Sequence, residues 1–186
     1  LAYHYSAAED WEQAQEYLFK AGDQAGRIAA DVEALTLYRQ AIEAYSRVRG
    51  DDWKPLERAT LERKIGVAFF RLGDFGQARK YLESSLSYLG VNLPASRWVV
   101  RFAIARSLLI QAAHRFFPSR IVKPMRNAQD PLAEELFNAA NALGWIEGVS
   151  DVERFFLITI IILNASERRG FAYGSAYLAS SMATAM

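Results

Sequence analysis

The apolar positions of this chain recur at three- and four-residue steps through most of its length, the period of amphipathic α-helices. The stretch Leu56 to Pro94 shows the pattern most clearly. Leu61, Ile65, Ala68, Phe69 and Leu72 line one face of a first helix. Phe75, Ala78, Leu82, Leu86 and Leu89 line one face of a second. Between them, Gly73 is suited to end the first helix in a left-handed conformation, and Asp74 to cap the second. Gly66 and Ala78 place small residues where two antiparallel helices must approach closely. Upstream, Leu1, Tyr5 and Ala8 mark one helix. Glu9-Asp10 introduces another, with Trp11, Ala14, Leu18 and Ala21 on its face and a turn at Gly22-Asp23. Ala25, Ile28 and Ala29 predict a short helix, and Asp31 caps a longer one faced by Leu35, Tyr38, Ile42 and Tyr45. After a Gly50-Asp51-Asp52 loop, Pro55 takes an early position in the central pair.

Beyond Pro94 the pattern predicts a long helix over Ser96 to Phe117. Trp98, Phe102, Ala105, Leu109, Ala112 and Phe116 form an apolar stripe on it. Arg97, Arg101 and Arg115 share a different face, which Val100, Ile104 and Leu108 interrupt and to which His114 is assigned. Pro118 ends this helix, and Ile121 to Arg126 reads as a basic connector. Asp130-Pro131 starts a helix carrying Leu132, Leu136, Ala139, Ala140, Leu143 and Ile146, followed by a turn over Gly148 to Asp151. Val152 to Arg169 holds the run Phe155 to Leu163, whose β-branched residues alone would suit a strand. Its helical surroundings make it a buried helix. Gly170 separates it from a last helix, Phe171 to Met186, rich in small residues.

The central stretch resembles a tetratricopeptide repeat, a helix-turn-helix unit of about 34 residues. Ile65, Gly66, Phe69, Gly73, Phe75, Ala78 and Leu82 fall on its small and large positions. Trp11, Ala14 and Leu18 repeat the offsets of Phe75, Ala78 and Leu82, so residues 1 to 22 resemble the later part of a preceding repeat. The resemblance implies an all-α, right-handed superhelix of antiparallel pairs, about nine helices, each pair stable only by stacking on the next. We read residues 1–186 as one such domain: clearer repeats to 94, the basic helix and connector over 95–129, degenerate repeats over 130–186. The chain starts at Leu1 and stops inside a helical pattern, and we expect it to be a piece of a longer protein.

A second resemblance rests on Tyr3-His4-Tyr5, Glu9-Asp10-Trp11-Glu12-Gln13-Ala14, Ala21-Gly22-Asp23-Gln24-Ala25 and Glu33-Ala34-Leu35. These are similar to the segment following the ATPase module in large bacterial signalling proteins. The nearest likeness is to class III adenylate/guanylate cyclases with a STAND-type ATPase and a C-terminal repeat array. It implies a non-catalytic regulatory module whose attached domain makes a cyclic nucleotide. The alternatives are the sensing arm of a STAND-type transcriptional regulator or kinase, and a structural dimerisation scaffold.

Charge adds one feature to a globular composition of 52% apolar and 23% charged residues. Net charge is only +1, but residues 84–129 carry seven basic residues and no acidic one, between two mildly acidic flanks. The basic segment pairs with those flanks or faces a partner. The chain has no cysteine, which rules out disulfides and thiolate metal sites and suits a cytoplasmic protein. His4 and His114 have no metal-ligand companion at helical spacing. No phosphate loop is present, so neither a catalytic site, a metal site nor a cofactor is expected. Partners remain: a protein or an attached catalytic domain, with a homodimer as an option, and neither nucleic acid nor a membrane. The repeat resemblance puts Thr60, Arg63, Val67, Phe70 and Arg71 on or near the concave, partner-binding face. Peptide-clamp repeats carry asparagine where Val67 stands, which argues against a chaperone-type carboxylate clamp. Arg97, Arg101 and Arg115 of the basic helix form a second candidate surface.

Overall fold

A computed structural model of the chain describes residues 10–50, 52–117 and 130–171. They hold seven α-helices: α1 (Trp11–Arg27), α2 (Asp31–Arg49), α3 (Pro55–Arg71), α4 (Phe75–Tyr88), α5 (Arg97–Phe116), α6 (Pro131–Ser150) and α7 (Val152–Arg169). The expected helix over residues 1–8, the connector 121–126 and the helix after Phe171 lie outside the described residues. The chain divides between Tyr88 and Leu89 into two compact units.

In the first unit, α1 to α4 form successive antiparallel pairs. The α3–α4 turn follows the sequence pattern. Gly73 has φ +80°, the N–H of Asp74 bonds Phe69 O at 3.0 Å and that of Gly73 bonds Phe70 O at 3.0 Å. These two bonds satisfy carbonyls left over at the helix end. Asp74 Oδ1 then accepts the N–H of Gln77 at 3.0 Å and opens α4. Leu82 and Leu86 of α4 are wholly buried, as is Ile65 of α3, which clusters with Leu35 and Tyr38 of α2, and Ser85 Oγ donates to Ala59 O at 2.8 Å. Asp10 caps α1 through the N–H of Gln13 at 3.2 Å, and Pro55 is the first residue of α3.

Two expectations are corrected here. Gly22-Asp23 is not a turn; α1 continues to Arg27 and absorbs the short helix expected at Ala25–Ala29. Glycine is needed at 22 for packing, because a Cβ there would stand 2.6 Å from Cε1 of Tyr38 on α2. Asp31 likewise lies within the first turn of α2 instead of capping it.

In the second unit α7 packs on both α5 and α6. Asp151 caps α7 by accepting the N–H of Arg154 at 3.1 Å, and Gly170 ends it at φ +72°. The turn expected from Gly148 begins only at Asp151, since α6 runs through Ser150. The buried side of α5 is Val100, Ser107 and His114, seven residues apart. His114 therefore does not belong to the exposed basic face. Its Nδ1 lies 2.6 Å from Glu167 Oε2 of α7. Asn164 of α7 donates to Ser107 O at 3.0 Å.

Asp130 opens α6. Its Oδ1 accepts the N–H groups of Leu132 and Ala133, each at 3.1 Å, and Arg169 reaches Oδ2 at 3.1 Å. Partial burial pushes this carboxyl up. The N–H of Ala133, the Arg169 guanidinium and the N–H of Leu132 outweigh that effect, and Asp130 titrates below the usual aspartate range. A lowered folded-state value stabilises the fold above the unfolded value, and the benefit disappears as pH falls through the folded one. Asp130→Ala should therefore cost about 1 kcal/mol at pH 7. Parent and variant should converge in urea midpoint as the pH falls through the folded-state value of Asp130, below the usual aspartate range.

Candidate functional site

α2 packs against both α1 and α3, and the three helices enclose a groove. Walls come from α1 and α3, which run parallel, and the floor comes from the face of α2 carrying Ala34, Tyr38, Ala41 and Tyr45. The groove has two halves of opposite chemistry.

The half at the C-terminal ends of α1 and α3 holds about 320 Å³. Arg63, Val67 and Arg71 enter it from α3, and Arg27 from α1. Its six charged lining residues are four basic and two acidic, Asp23 and Asp31. Arg71 Nη1 donates to Gly26 O at 2.8 Å and lies 3.4 Å from Asp31 Oδ1. Tyr38 donates its hydroxyl to Asp23 at 2.8 Å. Burial first, then that bond, pushes the phenol well above its usual range, so it stays a donor. Lys64 pairs with the same Asp23 and stands 4.6 Å from the Phe19 ring centroid. This link from α3 to α1 separates the two halves.

The half at the N-terminal ends holds about 690 Å³. Phe19, Tyr45 and Trp53 supply aromatic surface, with Tyr45 and Trp53 stacked at 3.6 Å and 18°. Its charged lining residues are all carboxylates: Glu12, Glu16 and Glu57. Tyr45 donates to Glu57 Oε2 at 2.8 Å.

Of the expected concave-face residues, Arg63, Val67 and Arg71 thus share the smaller half. Thr60 lines the larger one, with its hydroxyl donated to Leu56 O at 2.9 Å in its own helix. Phe70 lines neither, and packs on Phe75 with centroids 5.6 Å apart. Sequence reasoning missed Arg27, Tyr38, Lys64 and the aromatic trio. The spacing of Tyr38 and Tyr45 on one face of α2 was the available signal. Ending α1 at Gly22 hid Asp23 and Arg27.

On α5, Arg101 makes a two-pronged pair with Glu153 of α7, Nε at 3.1 Å and Nη2 at 2.9 Å from Oε1. The hydrogen bonds from Arg101 hold the Glu153 carboxyl below its usual range. Arg97 and Arg115 are exposed. The apolar stripe is exposed too, Trp98 and Phe116 each to 77%.

Residues 32–89, spanning α2 to α4, match the family model of the tetratricopeptide repeat. Curated proteins and solved structures yield no match to the chain. The fold is all-α and tetratricopeptide-like, and repeats of this type generally mediate protein–protein interaction. No described helix is long and apolar enough to cross a membrane.

Proposed function

We propose that the chain is a non-catalytic interaction module whose first unit binds an extended segment of a partner protein in the groove over α2. The observation that carries this reading is a two-part concavity floored by a repeat helix, walled by two parallel ones and crossed by the Lys64–Asp23 link. It lies within and beside the span that matches the repeat family. Rigid helical walls favour affinity because little backbone order is lost on binding. The similarity of residues 1–94 to the repeat region of signalling ATPases supports a finer reading. In it, partner binding regulates an attached catalytic domain, a nucleotide cyclase by resemblance.

Selection of twelve-residue displayed peptides on the immobilised chain tests the groove. Binders should lose at least tenfold in affinity to Val67→Glu, which adds a charge in the groove without touching the fully buried core. Selected peptides that bind this variant like the parent would place recognition elsewhere.

A further inference from the structure

We infer that the larger half of this groove takes an arginine or lysine side chain of the partner segment, while the smaller half takes a carboxylate. The inference rests on the groove reading above and adds which chemistry the groove selects. Three carboxylates and no basic group line the larger half. Glu16 and Glu57 have lysine partners on their own elements, Lys20 at 2.6 Å and Lys54 at 3.1 Å. Both lysines are well exposed and their pairs are worth little against solvent, so an incoming cation competes on favourable terms. Glu12 has no ion-pair partner among the described residues. In the same wall, the buried Oε1 of Gln15 accepts no hydrogen bond, which leaves an acceptor without a donor. The rings are already engaged within the fold, Trp53 between Tyr45 and Arg58 and Phe19 against Lys64, so the carboxylates and the Gln15 acceptor are what this half offers a cation.

The smaller half has the opposite balance, four basic residues against two acidic. Thr60 lines one half and Val67 the other. Seven helical residues rise roughly 10 Å, which an extended chain covers in about three residues. The favoured ligand is therefore an extended segment with a basic and an acidic residue about three positions apart. A segment with both charges of one sign meets repulsion in one of the halves.

Dye-labelled octapeptides of serine and alanine, carrying one arginine and one glutamate at spacings from one to six in both orders, are the probe. Fluorescence anisotropy with the full chain in low salt should show binding strongest near a spacing of three. Affinity should fall at least tenfold when the arginine is replaced by glutamate, and fall as salt is raised. In E12K/E16K, whose altered side chains are exposed, the peptide should lose at least tenfold in affinity with an unchanged melting curve. Binding of selected peptides that ignores charge, spacing and E12K/E16K would overturn this inference and leave the groove reading intact. If no peptide from either set binds, both fail.

Discussion

Leu82→Ala should lower the stability of the first unit by about 3 kcal/mol. Leu82 is wholly buried where α3 and α4 cross, and truncation leaves a cavity that two rigid helices cannot close. The same crossing explains Gly66. A methyl group there would stand 2.8 Å from Leu82 Cγ and 3.2 Å from Ala78 O. Alanine at 66 gains helix propensity worth about 1 kcal/mol, but the overlap with a buried branch point and a backbone oxygen costs about 1–3 kcal/mol. Gly66→Ala should therefore be neutral to destabilising, against its propensity. In the Leu82→Ala background the methyl enters the space Leu82 vacated, and only the Ala78 contact remains. The double variant should be more stable than the sum of the singles predicts, by about 1 kcal/mol. Urea unfolding of all four proteins checks this. Strict additivity would mean that the two residues do not share the crossing.

That crossing was legible because its signals are local. Gly66 and Ala78 are small, Gly73 and Asp74 carry their own turn chemistry, and Leu82 keeps the helical period. Gly22 shows why local signals mislead. Gly-Asp punctuates a turn in isolation, yet the glycine serves the ring of Tyr38, sixteen residues away on another helix. The misplaced end of α1 then removed Asp23 and Arg27 from the groove wall. α5 fails for a related reason. Its stripe of large apolar residues is the exposed one, while Ser107 and His114 are buried. Polar residues can be buried when partners meet them; the His114 ring meets Glu167, and Asn164 reaches the backbone oxygen of Ser107, both from α7, more than fifty residues on. Periodicity counts apolar residues and carries no information about partners supplied from so far along the chain.

The second large effect follows from the same kind of buried polar contact. Glu147 of α6 has no exposed surface. Arg154 Nε reaches its Oε1 at 3.2 Å, and Ser150 Oγ reaches Oε2 at 3.3 Å. Arg154 Nη1 also donates to Pro94 O at 3.0 Å, tying the segment before α5 to α7. Arg154→Met keeps much of the length of the side chain but removes the charge that compensates a buried carboxylate. Breaking such a pair from one side costs about 3–5 kcal/mol, so this variant should be among the least stable single substitutions in the second unit. Glu147→Gln in the same background removes the buried charge and should restore about 2 kcal/mol. The remaining deficit is the lost bond to Pro94 and the imperfect fit of methionine. Urea unfolding at pH 7 separates the two causes. If E147Q/R154M is no more stable than R154M, the cost lies in the Pro94 tether and in packing. If most stability returns, the pair is held together chiefly because each charge makes burial of the other tolerable, and Arg154 links α6, α7 and the entry to α5 through that requirement.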